Sequence, residues 1–260
     1  MSMLTTGHDL SDAEIAARYQ LLGDSLEMPR YFYRAAAEFV GDVGPRIVLD
    51  AGCGTGELLA EVQRLNPDAR LLGIELAQSR VEAAQRRLGS AADIRQGSIT
   101  GSSPFEQGCV DIILVTEVLE HLKDPVACLK NLLMLLKPDG VVIVTFPNAT
   151  AWLPFAPLAE LIAPRFKPAR AFLPHEHPLR TIQPIDTVFL RSEVFEILQQ
   201  SHLRVIQAAC YEVFPYLAEL AYKFFPKFDI APLRRPVDWL ATRLGWISLG
   251  YRVFTRCVPS

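Results

Sequence analysis

The stretch Ile47-Val48-Leu49-Asp50-Ala51-Gly52-Cys53-Gly54-Thr55-Gly56 decides the fold of this chain. Its apolar, mostly β-branched start predicts a strand that is covered on both faces, as in a parallel sheet. The three alternating glycines lack Cβ atoms, so the backbone can take positive φ and a ligand can come close. A helical pattern follows over 57–65, and its free N–H groups and positive dipole end face the turn. The stretch therefore predicts a nucleotide-type site at the carboxyl end of a first strand.

An acidic residue ends the second predicted strand, which runs from Arg70 to Glu75. A carboxylate at this point can accept two hydrogen bonds from a ribose diol. The alternative is an acid that stabilises the N-terminus of the next helix, which is predicted over 78–88. The ribose role is favoured because Glu75 follows the glycine turn by one strand–helix–strand step.

Strands and helices continue to alternate along most of the chain. Apolar periodicity and Gly/Pro punctuation predict the boundaries of each element. The predicted helices are 12–22, 29–40, 57–65, 78–88, 117–136 and 191–201, and the predicted strands are 47–49, 70–75, 92–98, 110–116, 141–146, 202–211 and 246–258. This order indicates an α/β fold with a doubly wound, mostly parallel seven-stranded sheet, in which the last two strands form a hairpin.

The chain is interpreted as one domain with four parts. A helical cap (1–44) precedes a cofactor-binding core (45–148), and the C-terminal half of the sheet (191–260) carries an inserted helical segment. Between them, eight of the 19 prolines fall between Pro147 and Pro184, among many apolar residues. Such a composition forbids long regular elements but is too apolar for a disordered linker. It predicts a proline-rich lid (149–190), inserted after the fifth strand.

Composition and charge limit the partners of the chain. A net charge of -3 disfavours nucleic acid as a partner. The five cysteines are scattered, and residues 1–10 lack the pattern of a signal peptide, which together predict a cytoplasmic protein. The segment 214–245 is rich in aromatic and basic residues. It is interpreted either as helices that cover the sheet edge or as a peripheral contact with an anionic membrane.

Four motifs occur in a fixed order: D-x-G-x-G-x-G (50–56), E-V-L-E-H-L (117–122), L-K-P-D-G (136–140) and F-P-N (146–148). Together they resemble the class I S-adenosylmethionine-dependent methyltransferases, in particular the ubiquinone-pathway O-methyltransferases. A nicotinamide dehydrogenase is disfavoured because its fingerprint is G-x-G-x-x-G.

The resemblance implies a Rossmann-like methyltransferase fold and S-adenosylmethionine as the cofactor. At Ser98 the chain departs from the family, which commonly has an aspartate at the adenine edge. The residues implied in cofactor binding are Asp50, Gly52, Cys53, Gly54, Gly56, Glu75, Leu76, Gly97, Ser98, Ile99, Thr116 and Glu117.

Methyl transfer to a hydroxyl needs a positioned acceptor and a group that takes its proton. The predicted catalytic residues are His121, Glu117 and His177. On a helix that starts at the end of the fourth strand, Glu117, Glu120 and His121 would share one face. With His175 from the insertion they could also bind a divalent metal, as in RNA 3′-terminal 2′-O-methyltransferases. The simpler interpretation is His121 as a base without metal.

The expected function is methylation of a small, apolar or aromatic acceptor, at oxygen. One alternative is metal-assisted 2′-O-methylation of RNA 3′ ends, against which the acidic net charge and the absence of a basic arm weigh. The other is a non-catalytic scaffold that keeps the fold, which the intact glycine turn with Asp50 and Glu75 disfavours.

Overall fold

The computed structural model describes residues 10–22, 28, 30–44, 46–148, 185, 187, 189–213, 231–244 and 250–260. The helices are α1 (Asp12–Leu22), α2 (Arg30–Val40), α3 (Glu57–Leu65), α4 (Gln78–Leu88), α5 (Pro125–Leu133), α6 (Arg191–Gln200) and α7 (Ala231–Arg243). The strands are β1 (Ile47–Ala51), β2 (Arg70–Glu75), β3 (Ala92–Gln96), β4 (Val110–Thr116), β5 (Leu136–Pro147), β6 (Leu203–Val213) and β7 (Gly250–Pro259). Two 3₁₀ turns are Gly89–Ala91 and Leu119–His121.

The strands form one seven-stranded sheet in the order β3-β2-β1-β4-β5-β7-β6. The first five strands are parallel, and β7 runs antiparallel to both of its neighbours. The predicted doubly wound, mostly parallel sheet with a closing hairpin is therefore confirmed. The strand order reverses at β1 and β4, so their carboxyl ends flank the crevice where open α/β sheets bind ligands.

The core lies on both faces of the sheet, as the continuous apolar strands predicted. Val48 belongs to the cluster that packs under α2, α3 and α4, whereas its neighbour Leu49 belongs to the cluster under α5 and α6. Successive side chains of a strand point to opposite faces, and both are fully buried here. The rigid sheet thus holds the ends of β1 and β4 in place.

The helix predicted over 117–136 is wrong in its first part. Glu117 has a φ of 53°, and only the 3₁₀ turn Leu119–His121 follows it. The α-helix begins at Pro125, after Asp124, whose carboxylate accepts a hydrogen bond from the Ala127 N–H at 2.9 Å. Proline disfavours a helical conformation in the residue before it and is suited to the first helical position, so α5 starts here.

The predicted lid and the predicted division of the chain into four parts are only partly described by the structure. The lid (149–190) lies outside the described residues except at its end, and the division into four parts stays a prediction. All five cysteines are free thiols. Among the helices that the described residues form, none is long and apolar enough to cross a membrane.

Candidate active site

The glycine turn after β1 is pinned to β2 by its backbone. The N–H groups of Gly52 and Cys53 both donate to the Ile74 carbonyl oxygen, at 2.8 and 3.0 Å. The three glycines have positive φ, 88° at Gly52, 55° at Gly54 and 84° at Gly56. Residues with side chains rarely adopt this conformation, which explains the three glycines of the motif.

The space around the three glycines of the turn differs from one glycine to the next. A Cβ atom at Gly52 would lie 2.9 Å from the Val118 side chain, and one at Gly56 would lie 3.2 Å from the Ala84 Cβ. The missing Cβ atoms of Gly52 and Gly56 therefore let Val118 and the helix α4 pack against the turn. A Cβ atom at Gly54 would have no neighbour within 4 Å, so Gly54 borders open space.

Glu75 lies against this open part of the turn. Its Oε2 accepts a hydrogen bond from the Gly54 N–H at 3.0 Å, and its Oε1 accepts one from the Ala77 N–H at 2.9 Å. The side chain is buried. Each carboxylate oxygen can accept a second hydrogen bond, so the oriented carboxylate can still receive a diol.

Asp50 is the second acid under the turn, and it is buried. Burial, together with the negative charge of Glu75, raises the pKa of Asp50 to about 7. A cationic group placed beside Asp50 would favour its ionised form. Asp50 is therefore suited to pair with an ammonium group of a ligand.

Cys53 is a packing residue of the turn. Burial, together with the charges of Asp50 and Glu75, raises the pKa of the Cys53 thiol far above its usual range, so this thiol is not a nucleophile. A Cβ atom at Gly73 would lie 2.8 Å from the Cys53 sulfur and 2.6 Å from the Ile94 side chain. Gly73 is therefore needed for the turn to lie on β2, a role that sequence reasoning missed.

The residues after β3 lie beside the end of β2. The Gly97 N–H donates to the Glu75 carbonyl oxygen at 3.0 Å. The Ser98 hydroxyl oxygen accepts from the Thr100 N–H at 3.3 Å, and Asn131 of α5 donates to the Ile99 carbonyl oxygen at 3.0 Å. The implied cofactor residues on β1, β2 and β3 therefore share one edge of the sheet, with Leu76 following Glu75 directly.

Glu117 does not share a helical face with Glu120 and His121, so that prediction is wrong. Its left-handed backbone directs its N–H to the carbonyl and hydroxyl oxygens of Thr145, both at 3.2 Å. The Thr145 hydroxyl donates to the Glu117 Oε1 at 2.9 Å, and Oε2 forms an ion pair with Arg252 of β7. Thr116, the other implied residue here, is the last residue of β4 and pairs with Thr145.

Arg252 is a functional-site candidate that sequence reasoning missed. The side chains of Arg252 and Glu117 are only 10% and 12% exposed, and the Arg252 guanidinium lies 4.7 Å from the ring centre of Phe32 and 5.2 Å from that of Tyr251. The ion pair therefore joins β4, β7 and the N-terminal helix α2. An arginine in a strand gives no sequence signal for this role, because its partner lies far along the chain.

The 3₁₀ turn holds His121 against the described end of the predicted lid. The His121 Nδ1 lies 2.8 Å from the Ile185 carbonyl oxygen, so Nδ1 carries the proton and donates it. The Nε2 atom lies 3.9 Å from Oε1 of the buried Glu120, whose carbonyl oxygen accepts from the Thr187 N–H at 2.8 Å. His175 and His177 lie outside the described residues, so their predicted roles stay predictions.

The described residues do not fit the suggested divalent metal. Among the residues that the structure describes, no group of three or more His, Cys, Asp and Glu side chains could hold an ion. Glu117, the first suggested ligand, is neutralised by Arg252. A cation beside this pair would be repelled by the guanidinium.

Residues 49–144 match the family model described as a methyltransferase domain. Over 112 residues the chain is 36% identical to the ubiquinone biosynthesis O-methyltransferase of Bradyrhizobium diazoefficiens, and the match covers 42% of each protein. The chain thus spans less than half the length of the curated relatives it matches.

Solved structures share the fold over most of the chain. The geranyl diphosphate methyltransferase in complex with SAM superimposes with a TM-score of 0.57 at 15% identity, covering 98% of this chain and 94% of that one. The [4+2]-cyclase SpnF has the same TM-score at 20% identity, covering 88% of this chain and 81% of that one. Residues 49–144 therefore match a methyltransferase domain, and the fold of the described residues is the fold of these solved structures.

Proposed function

We propose that the protein transfers the methyl group of S-adenosylmethionine to a small, apolar or aromatic acceptor, at oxygen. One observation carries the cofactor part: the open space at Gly54 lies beside a buried Glu75 carboxylate that the Gly54 N–H orients. Glu75 would accept the ribose hydroxyls, and Asp50 would pair with the amino group of the cofactor. The bound cofactor would supply an electrophilic methyl group on a sulfonium.

The acceptor side rests on His121 and on the residues after Asn148. Because Nδ1 of His121 donates to Ile185, its Nε2 is unprotonated in the neutral ring and can take the proton of a hydroxyl. The name of the Bradyrhizobium relative, an O-methyltransferase, supports oxygen as the acceptor atom. The apolar composition of the predicted lid supports an apolar acceptor. We expect no divalent ion in the reaction, since Glu117 is paired with Arg252.

Calorimetry tests the cofactor step first. We expect S-adenosylmethionine and S-adenosylhomocysteine to bind and NAD not to bind. Glu75→Gln should weaken binding of both by about 1–3 kcal/mol, through the loss of charge-assisted hydrogen bonds to the ribose. Glu82→Gln is the matched control, because Glu82 is an exposed residue of α4 that accepts a hydrogen bond from the exposed Gln78 side chain.

Three outcomes would contradict parts of the proposal. Binding of NAD in place of S-adenosylmethionine would overturn the cofactor. Equal affinities in Glu75→Gln and Glu82→Gln would move the ribose contact elsewhere. Cofactor binding without turnover on any of a panel of phenols and aliphatic alcohols, with or without added Mg²⁺, would favour the scaffold alternative.

A further inference from the structure

The helix α7 lies on the edge strand of the sheet with a defined inner face. The Thr242 hydroxyl accepts a hydrogen bond from the Cys210 N–H of β6 at 3.1 Å and lies 3.4 Å from the Cys210 carbonyl oxygen. Ala241 and Asp238, on the same side of the helix, are buried. These contacts fix which side of α7 points away from the protein.

The outward face of α7 is apolar and aromatic, with a basic residue. Trp239 is 59% exposed, and Val237, Leu240 and Leu244 are each about half exposed. The Arg243 guanidinium lies 5.1 Å from the centre of the Trp239 ring. Among the described side chains of this helix, from Pro236 onward, the one acid is Asp238, which faces inward.

We propose that this outward face of α7 binds the surface of an anionic phospholipid bilayer. Tryptophan prefers the interface between headgroups and acyl chains, and the leucine and valine side chains can enter the acyl region. Arginine keeps its stem along the apolar surface while its charge stays among the headgroups. The three side-chain types on one helical face are those of a helix that lies in the interface plane.

The local excess of positive charge around α7 favours an anionic membrane over a protein partner. Between Lys223 and Arg243 the sequence has five basic residues and two acidic ones, although the whole chain carries a net charge of -3. Anionic lipid attracts such a local excess at about 1 kcal/mol for each basic residue near the surface. A stable protein interface needs about 800 Å² on each partner, more than one face of a short helix offers. A second copy of the chain, which would bring the same positive charges together, is therefore disfavoured.

The contact goes beyond the proposed methyl transfer and does not rest on it. A docked protein would meet acceptors that partition into the bilayer, which agrees with an apolar substrate. No spanning helix is needed, because a face of α7 binds in the plane of the interface.

Sedimentation with vesicles tests the proposal on the full chain. Vesicles of phosphatidylcholine mixed with phosphatidylglycerol should bind the protein, and vesicles of phosphatidylcholine alone should bind it far less. Leu240→Glu should lower binding by about tenfold or more, and Arg243→Gln by about fivefold, the loss of one basic contact. Met134→Glu is the matched control, because Met134 is 52% exposed at the end of α5, away from α7.

Calorimetry with S-adenosylmethionine should give the same affinity for all three variants, which separates docking from the cofactor site and from misfolding. Absence of binding to the mixed vesicles would overturn the proposal, as would equal losses in Leu240→Glu and Met134→Glu. A dimer in analytical ultracentrifugation that Leu240→Glu dissociates, with no vesicle binding, would assign the face to a second copy instead.

Discussion

Glu75 and Glu117 lie at the carboxyl ends of two parallel strands, but they are held in opposite ways. Glu75 is the last residue of β2, and Glu117 directly follows β4. Glu75, at the end of β2, receives backbone N–H groups from Gly54 and Ala77, inside one strand–helix–strand unit. Glu117, just after β4, receives the guanidinium of Arg252, 135 positions further along the chain. The first carboxylate lies beside the open space at Gly54, and the second is neutralised by the protein itself.

This difference shows which contacts of a site can be predicted from a local sequence motif. Backbone donors are supplied by any sequence that forms the turn, so the partner of Glu75 comes with the motif. A side-chain partner depends on the whole sheet: the antiparallel pairing of β7 with β5 brings Arg252 opposite Pro147, near the end of β4. Motif position alone suggested a metal ligand at Glu117, where the structure has an ion pair.

The largest expected effect on stability comes from breaking the ion pair between Glu117 and Arg252. Arg252→Met leaves the largely buried Glu117 carboxylate without its cation and should lower the free energy of unfolding by about 3–5 kcal/mol. Urea unfolding measures this loss. The double variant Arg252→Met/Glu117→Gln should recover much of it, because no buried charge remains.

Arg95→Met is the matched control for that experiment. Arg95 pairs with Asp93 at 2.7 Å, but both side chains are largely exposed, so its loss should cost about 1 kcal/mol or less. Equal losses in Arg252→Met and Arg95→Met would contradict a stabilising role of the buried pair.

The sequence predicted the elements around Glu75 better than those around Glu117. The strand Arg70–Glu75 and the helix Gln78–Leu88 have the predicted bounds, because apolar periodicity and local chemistry determine them. The helix predicted directly after β4 is wrong. The sequence E-V-L-E-H-L has helical spacing, but hydrogen bonds to Thr145 and Ile185, which are distant in the chain, hold it in another conformation. Arg252 could not be predicted, because its role exists only once β7 pairs with β5.

A second prediction concerns Asp50, which shares the region of Glu75. The pKa of Asp50 is about 7 in the folded protein against 3.8 ordinarily, so the folded state keeps a proton that the unfolded state loses. Asp50 therefore lowers the stability of the ligand-free protein progressively as pH rises from about 4 to 7, by up to about 4 kcal/mol in all. Asp50→Asn should match the parent in stability at pH 4 and exceed it at pH 8.

Unfolding in urea at a series of pH values checks this difference, and calorimetry should show that Asp50→Asn has lost affinity for S-adenosylmethionine. Glu75→Gln sharpens the comparison, because removing its charge should lower the pKa of Asp50 and move the pH dependence to lower values. Stability curves for Asp50→Asn and the parent that run parallel from pH 4 to 8 would rule out the raised pKa.

The smallest effect on stability is expected at Gly54, where the turn borders open space instead of protein. Gly54→Ala must hold a φ of 55°, which costs about 1–2 kcal/mol, but its methyl group would meet nothing within 4 Å. Gly56→Ala must hold a φ of 84° and also displace Ala84 and Leu88, so it should lose more stability. In calorimetry the order should reverse, because a methyl group at Gly54 occupies the space beside Glu75: Gly54→Ala should lose more affinity for S-adenosylmethionine than Gly56→Ala does. If both variants lose affinity only in proportion to stability, the turn is a folding element and the cofactor lies elsewhere along the sheet edge.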